Sequence, residues 1–269
     1  MALNVLDLFS GIGGLALGLQ RAGMRPVAFC EADPFARAVL ARHWPGRRCY
    51  PDIRQLTADR LRTDGVPAPD LLCGGFPCQD ISSAGSGAGL SGRRSALWFE
   101  MLRLVEECRP DWVVAENVPA LRVRGADRVL AGLEAAGYAC WPLVVGAAHA
   151  GAPHRRARAF VVAHAGRAGL EDRIGRPARA TPGLPVERRG GWPAEPDVRR
   201  VADGLPARLD GRPARIRALG NAVVPGVAEM IGRAIYAAAD FTRSENSLRN
   251  LATFGATTTR QYPACGLRS

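Results

Sequence analysis

Over residues 1–165, short apolar runs alternate with stretches whose apolar positions recur at helical spacing. Val5-Leu6-Asp7-Leu8-Phe9 reads as a strand, Leu15 to Ala22 as a helix stopped at Gly23, and Val27-Ala28-Phe29 as a second strand. Asp33 followed by Pro34 matches an N-cap with proline at the first helical position, and that helix runs to Trp44, before Pro45-Gly46. Leu71-Leu72-Cys73 reads as a strand, and Leu97, Met101, Leu104 and Val105 share one helical face. Trp112 to Ala115 follows Arg109-Pro110 as another strand. A helix from Asp127 to Ala136 ends at Gly137, and strands near Leu143–Val145 and Ala159–Val162 follow. This rhythm predicts an α/β domain built on a doubly wound, mainly parallel sheet.

Ligands of such sheets bind beyond the carboxyl ends of the strands. Phe9, Glu31, Gly75 to Gln79 and Glu116 each sit just past the end of a predicted strand. The rhythm fades between Gly166 and Gly204, a stretch rich in Gly, Pro and Arg, which reads as an irregular insertion or small lobe. It returns with Val227, Met230, Ile231, Ala234 and Ile235 on one helical face. The expected organisation is a main domain at 1–165, a small irregular segment at 166–204, a return to the main domain at 205–241, and a loose Ser/Thr/Asn-rich tail at 242–269.

Composition narrows the class. The 269 residues are 47% hydrophobic, enough for one large domain with a substantial core. No apolar run has membrane-spanning length and the first strand begins by Leu3, so the expected location is cytoplasmic, with no membrane partner. The seven cysteines (30, 49, 73, 78, 108, 140 and 265) form no C-x-x-C pair, so no metal site is expected and free thiols are. The net charge is +11, carried entirely by arginine. GC-rich codon usage alone favours arginine; a polyanionic partner is the functional reading. Distribution decides: from His154 to Arg217, fifteen arginines face seven acids. That clustering points to nucleic acid.

Gly11-Ile12-Gly13-Gly14-Leu15-Ala16 fits G-x-G-x-x-A between a strand and a helix, with Glu31 twenty residues after Gly11. The glycines allow a tight turn and close backbone approach, and the carboxylate can hold ribose hydroxyls. The pattern serves NAD or any adenosine cofactor. Phe9 before the turn could pack on an adenine or on a sulfonium-bearing methionine arm, and Asp52, before Ile53, could take an adenine amino group. Phe76-Pro77-Cys78-Gln79 supplies a different chemistry. A cysteine in a proline-stiffened loop just past a strand is badly placed for packing and well placed for attack. Arginines or a helix N-terminus nearby would favour its thiolate. Cys73, five residues earlier, belongs to the strand and should be buried and inert. Glu116 ends an apolar strand, where burial would raise its pKa and leave a carboxyl able to donate to a ring nitrogen. Asn117 and Val118 would position it.

Taken together, Asp7-Leu8-Phe9-Ser10-Gly11-Ile12-Gly13-Gly14, Gly75-Phe76-Pro77-Cys78-Gln79, Glu116-Asn117-Val118, His154-Arg155-Arg156-Ala157-Arg158 and Gly220-Asn221-Ala222-Val223-Val224-Pro225 resemble, in order, the motifs of bacterial and phage DNA cytosine-5 methyltransferases. The resemblance spans about residues 4 to 238. It implies a Rossmann-like, S-adenosylmethionine-dependent fold with a short irregular target-recognition lobe. It also implies methyl transfer to C5 of a cytosine flipped out of double-stranded DNA. Cys78 would attack C6, Glu116 would hold N3 and the amino group, and Arg156 and Arg158 would lie near the base and the phosphates. Phe9, Gly11, Ile12, Gly13, Gly14, Glu31, Asp52, Ile53, Gly75, Pro77, Leu97, Asn221, Ala222 and Val223 match cofactor-side positions. Gln79, Ser82, Arg155, Arg156 and Arg158 match positions near DNA. A monomer is expected, with a cognate restriction endonuclease as a candidate partner.

The stretch between Arg158 and Gly220 is short for a target-recognition domain with its framework, and His154 stands where the family often has glutamine. An NAD-dependent oxidoreductase would leave Pro77-Cys78-Gln79 and the basic segment without a role. A non-catalytic DNA-binding relative would not need both Cys78 and Glu116. A tRNA cytosine methyltransferase would be expected to carry an aromatic motif after Arg158, which is absent.

Overall fold

The computed structural model describes residues 2–77, 97–165 and 212–239. Cys78, Gln79, Ser82, the 166–204 segment and the 242–269 tail lie outside the described residues. Seven strands form one sheet: β1 (Asn4–Leu8), β2 (Arg25–Cys30), β3 (Arg48–Tyr50), β4 (Leu71–Gly75), β5 (Trp112–Asn117), β6 (Tyr138–Gly146) and β7 (Ala157–Ala165). Their order across the sheet is β3-β2-β1-β4-β5-β7-β6. β1 to β5 run parallel, and β7 is antiparallel to both β5 and β6. The helices are α1 (Gly14–Arg21), α2 (Pro34–His43), α3 (Ala58–Thr63), α4 (Leu97–Cys108), α5 (Ala126–Ala135), α6 (Arg212–Asn221) and a final helix α7 at 225–239. The mainly parallel, doubly wound α/β fold is therefore as the sequence predicts.

The local signals act as chemistry requires. Asp33 caps α2, its side chain accepting from the Phe35 amide with Pro34 in the first turn. Two elements escape the sequence pattern. β3 has three residues, none fully buried, and α3 has six with only Leu61 buried, so neither is long enough to show a period. The break between α6 and α7 falls at 222–224, where Pro225 disfavours helical geometry in the residue before it.

Side-chain alternation along the strands divides the interior into two layers. One face of the sheet carries Leu6, Leu8, Leu72, Val113 and Ala115, packed with Trp98, Met101 and Leu104 of α4 and with Val129 and Leu133 of α5. The other carries Val5, Leu71, Cys73, Trp112, Val114 and Phe160, packed with Leu15 and Leu19 of α1 and with Val227, Ala228, Ile231 and Ile235 of α7. The buried face of α7 differs from the expected one: Met230 and Ala234 are exposed, and Ala228 is buried in their stead. By length and composition alone Pro213–Ala239 is apolar enough to cross a membrane, but it is two helices broken at 222–224, and the apolar side of α7 is spent on the core.

α1 and α7 lie unusually close. A methyl at Gly14 would sit 2.4 Å from the Val223 carbonyl oxygen, and one at Gly18 would sit 2.3 Å from that of Pro225. The helix pair brings 221–223 beside the loop that leaves β1. Strand order reverses between β1 and β4, and in open α/β sheets the carboxyl ends of the strands at such a reversal are where a ligand is expected.

Candidate active site

The turn after β1 is held from below. Ser10, buried, donates its hydroxyl to the Asp7 carbonyl at 2.6 Å, and its amide bonds the Cys30 carbonyl at 3.2 Å. Phe9 adopts φ 52°, a left-handed conformation uncommon for a bulky residue. Such strain persists where surrounding structure enforces it. The glycines divide their labour. Gly13 (φ 85°) caps α1, and a methyl there would strike the Trp44 ring at 2.5 Å, so Gly13 serves packing. Gly14 likewise serves the approach of Val223. Gly11 (φ 52°) has open space where its side chain would be, which is the position a ligand can approach. Ile12 is half-buried beside it.

Glu31 closes this turn from β2. Its two oxygens accept the Gly11 amide at 2.7 Å and the Asp33 amide at 2.8 Å. The carboxylate thus builds the loop and keeps lone pairs for a hydroxyl donor. Asp52 already has a partner in its own turn. Its carboxylate is gripped by Arg54 through two bonds of 2.9 Å and accepts the Arg54 amide, and these bonds lower its pKa. The Ile53 side chain beside it is 4% exposed and packs in the core. Leu97, at the start of α4, is half-buried against the same core, and Pro77 is half-buried at the edge of the sheet.

Glu116 lies inside β5 rather than after it, 6% exposed. Burial pushes its pKa up to about 7, against the opposing pull of Arg158 and Arg156. Arg158 Nε meets Glu116 Oε1 at 3.0 Å. The pairing follows from register. Glu116 is opposite Phe160 on β7, and Arg158, two residues along, shares that face. On its other side Glu116 touches β4. Gly75 pairs with Glu116 in the ladder, and a methyl on Gly75 would sit 2.7 Å from Glu116 Oε2. Gly75, matched to the cofactor by resemblance, thus makes room for the carboxylate.

Arg156, just before β7, reaches the end of α6. Its guanidinium donates to the carbonyls of Gly220 (2.6 Å), Ala222 (2.7 Å) and Leu219 (3.4 Å). These bonds tie this arginine to the chain that follows α6, beside the glycine turn. Arg155 is exposed and Asn221 is exposed, while Ala222 is half-buried and Val223 is a core residue.

Two residues of the first motif that were given no role from sequence belong to the site's foundations. Asp7, in the middle of apolar β1, is 0% exposed, and burial raises its pKa to about 7. Among the described residues its Oδ2 makes no hydrogen bond, and its Oδ1 accepts from the Cys73 thiol at 3.5 Å. A carboxylate inside a run of Val and Leu was the signal. Ser10 is the other. Among the thiols, Cys73 is fully buried with its pKa raised well above the ordinary value, mainly by burial. Cys30, Cys49, Cys108 and Cys140 are also raised, to between about 11 and about 12. None of these five is poised as a thiolate.

Among known proteins, the chain is 37% identical over 169 residues to the Type II methyltransferase M2.BsuMI of Bacillus subtilis, covering 60% of this chain and 42% of that protein. It is 36% identical over 168 residues to the Type II methyltransferase M.Eco47II of Escherichia coli, covering 60% and 39%. The chain thus spans less than half the length of either relative. A crystal structure of a candidate DNA modification methyltransferase encoded within an E. coli prophage superposes with a TM-score of 0.53 at 32% identity, covering 61% of this chain and 47% of that one. The family model for C-5 cytosine-specific DNA methylases matches residues 3–180, well over half of the sequence, and the chain belongs to that family.

Proposed function

We propose that this protein transfers a methyl group from S-adenosylmethionine to C5 of cytosine in double-stranded DNA, through a covalent bond between Cys78 and C6 of a flipped base. The observation that carries the reading is Glu116: a nearly buried carboxyl, pKa about 7, paired with Arg158 and pressed against Gly75, three residues before Cys78.

At neutral pH such a carboxyl is divided between acid and base forms. As the acid it donates to N3 of the cytosine, drawing electron density from C6 while Cys78 as thiolate forms the C6–S bond. The electron pair released into the ring makes C5 nucleophilic. C5 takes the methyl group, the C5 proton is lost to a base, and the C6–S bond breaks to restore the aromatic ring and the thiolate. One difficult substitution becomes two easier steps. Arg158 holds the Glu116 carboxyl in position and limits the rise of its pKa.

The residues of the β1 crevice suit an adenosyl cofactor. Gly11 leaves open space, Glu31 has accepting capacity beyond its two amide bonds, and 221–223 border the same turn. S-adenosylmethionine held there would supply an activated methyl group on sulfonium, with the neutral thioether as leaving group when the S–CH3 bond breaks. Duplex DNA as substrate is supported by the arginine-rich run from His154 to Arg217. A cognate restriction endonuclease is the partner this reading suggests.

The test is incubation with tritiated S-adenosylmethionine and unmethylated plasmid, with tRNA in parallel. Label enters plasmid DNA as 5-methylcytosine and is lost in Cys78→Ser but kept in Cys73→Ser. Label confined to tRNA, or absent from both, refutes the proposal.

A further inference from the structure

Glu116 and Asn117 are consecutive on β5, so strand alternation sends their side chains to opposite faces of the sheet. Glu116 faces Arg158. Asn117, 1% exposed, faces the α4 layer and makes two hydrogen bonds there. Its Nδ2 donates to the Phe76 carbonyl at 3.0 Å, and its Oδ1 accepts the Val118 amide at 2.8 Å. The orientation of this amide is unambiguous. A backbone N–H can only donate and a backbone carbonyl can only accept, so oxygen must face Val118 and NH2 must face Phe76. Asparagine is the side chain of this size that meets both demands.

Phe76 is held a second time. It is 2% exposed, and its ring packs on Trp98 of α4 with centroids 5.3 Å apart. Gly75 before it is fixed in the ladder opposite Glu116. Pro77 after it has its φ set by its ring. The carbonyl that Asn117 grips is therefore the last main-chain acceptor before the Pro77-Cys78 dipeptide.

We infer that Asn117 is a positioning residue for methyl transfer: its amide locks the Phe76 carbonyl, and with it the direction in which the chain leaves β4 toward Cys78. The assignment rests on the functional reading above. One strand then sets both halves of the chemistry, Glu116 by direct contact with the base and Asn117 by aiming the chain that carries the nucleophile. The effect is on orientation, so it falls on the chemical step and not on cofactor affinity.

Asn117→Asp tests this. The ionised variant would set a carboxylate oxygen against the Phe76 carbonyl. The protonated variant restores the pattern, its C=O accepting from Val118 and its O–H donating to Phe76. At pH 8 the expected result is a kcat lower by about 10–100-fold, with KM for S-adenosylmethionine within about twofold of wild type. As the pH falls toward about 5 the ratio of variant to wild-type kcat rises. Glu116, facing the guanidinium groups of Arg158 and Arg156, titrates in both proteins, so the ratio removes its contribution. Asn117→Ala, which lacks both groups, stays low throughout. A kcat equal to wild type overturns the assignment, as does a loss confined to KM or one that does not recover in acid. Should Asn117→Asp fail to fold, the rate of covalent adduct formation by Asn117→Ala on DNA containing 5-fluorocytosine decides: slowed adduct formation with unchanged cofactor KM supports it, and an unchanged rate overturns it. Failure of the functional reading looks different, since wild type itself then labels no DNA.

Discussion

Gly75→Ala adds one methyl group where the structure has least tolerance for it. The new carbon would lie 2.7 Å from Glu116 Oε2 and 3.8 Å from Glu116 Cδ. A comfortable carbon–oxygen approach is about 3.3 Å, so the carboxylate must retreat by about 0.6 Å. Gly75 lies in the extended ladder opposite Glu116, so alanine itself is compatible with the backbone. Retreat is possible because the clash is with the end of a side chain. The fold should therefore lose only about 1 kcal/mol, at the low end of overpacking costs, or about 2–4 °C in Tm. The catalytic cost is larger. The retreat shifts the carboxyl against Arg158, now 3.0 Å away, and misplaces the group proposed to meet N3 of the base. A displacement of this size costs on the order of tenfold or more in kcat. Tritium transfer to plasmid, run as full saturation curves in cofactor and in DNA, separates the alternatives. A fall in kcat with cofactor KM unchanged supports the contact with Glu116. A raised cofactor KM with kcat intact would restore Gly75 to the cofactor and refute the reasoning, and a kcat within about twofold of wild type would refute it as well.

Asp7 has a pKa of about 7 in the fold against 3.8 when exposed, so between those values the native state holds a proton that the unfolded chain releases. Stability therefore falls as pH rises from about 4 to about 7, by on the order of 4 kcal/mol from this group. Asp7→Asn should flatten much of that slope in urea titrations, leaving the share due to Glu116; an unchanged slope would show that Asp7 is ionised in the native state. Arg156→Ala removes a charged donor from the carbonyls of Gly220 and Ala222, a loss of about 1–3 kcal/mol felt locally. Hydrogen exchange over 219–224 should quicken and cofactor affinity should drop severalfold. Weaker DNA binding with exchange unchanged would return Arg156 to the phosphate backbone.

Much of the architecture could be read from the chain because it rests on local rules. Val5 to Leu8, Leu71 to Cys73 and Trp112 to Ala115 are apolar runs of strand length. Asp33-Pro34 writes its own helix start, and Gly23 and Gly137 write helix ends. These signals depend on neighbours a few residues away, and they gave the parallel core of the sheet and the edge where Phe9, Glu31, Gly75 and Glu116 gather. The order of motifs gave the family.

What the chain could not announce were relations between distant residues. Gly13, Gly14 and Gly75 look alike in sequence, yet one faces Trp44, one faces Val223 and one faces Glu116. A glycine's role is set by what approaches it, and that partner lies up to some two hundred positions away. Asp52 reads as a free acid until Arg54 is seen to fold back on it. Arg156 and Arg158 differ by two positions, but Arg158, inside β7, reaches a buried carboxylate while Arg156, just before the strand, reaches a helix end. Sequence fixes which groups are present and their alternation along each strand. Only packing brings β4, β5 and β7 to one register, and with it decides which carboxyl is buried, which arginine restrains it and which amide holds the loop.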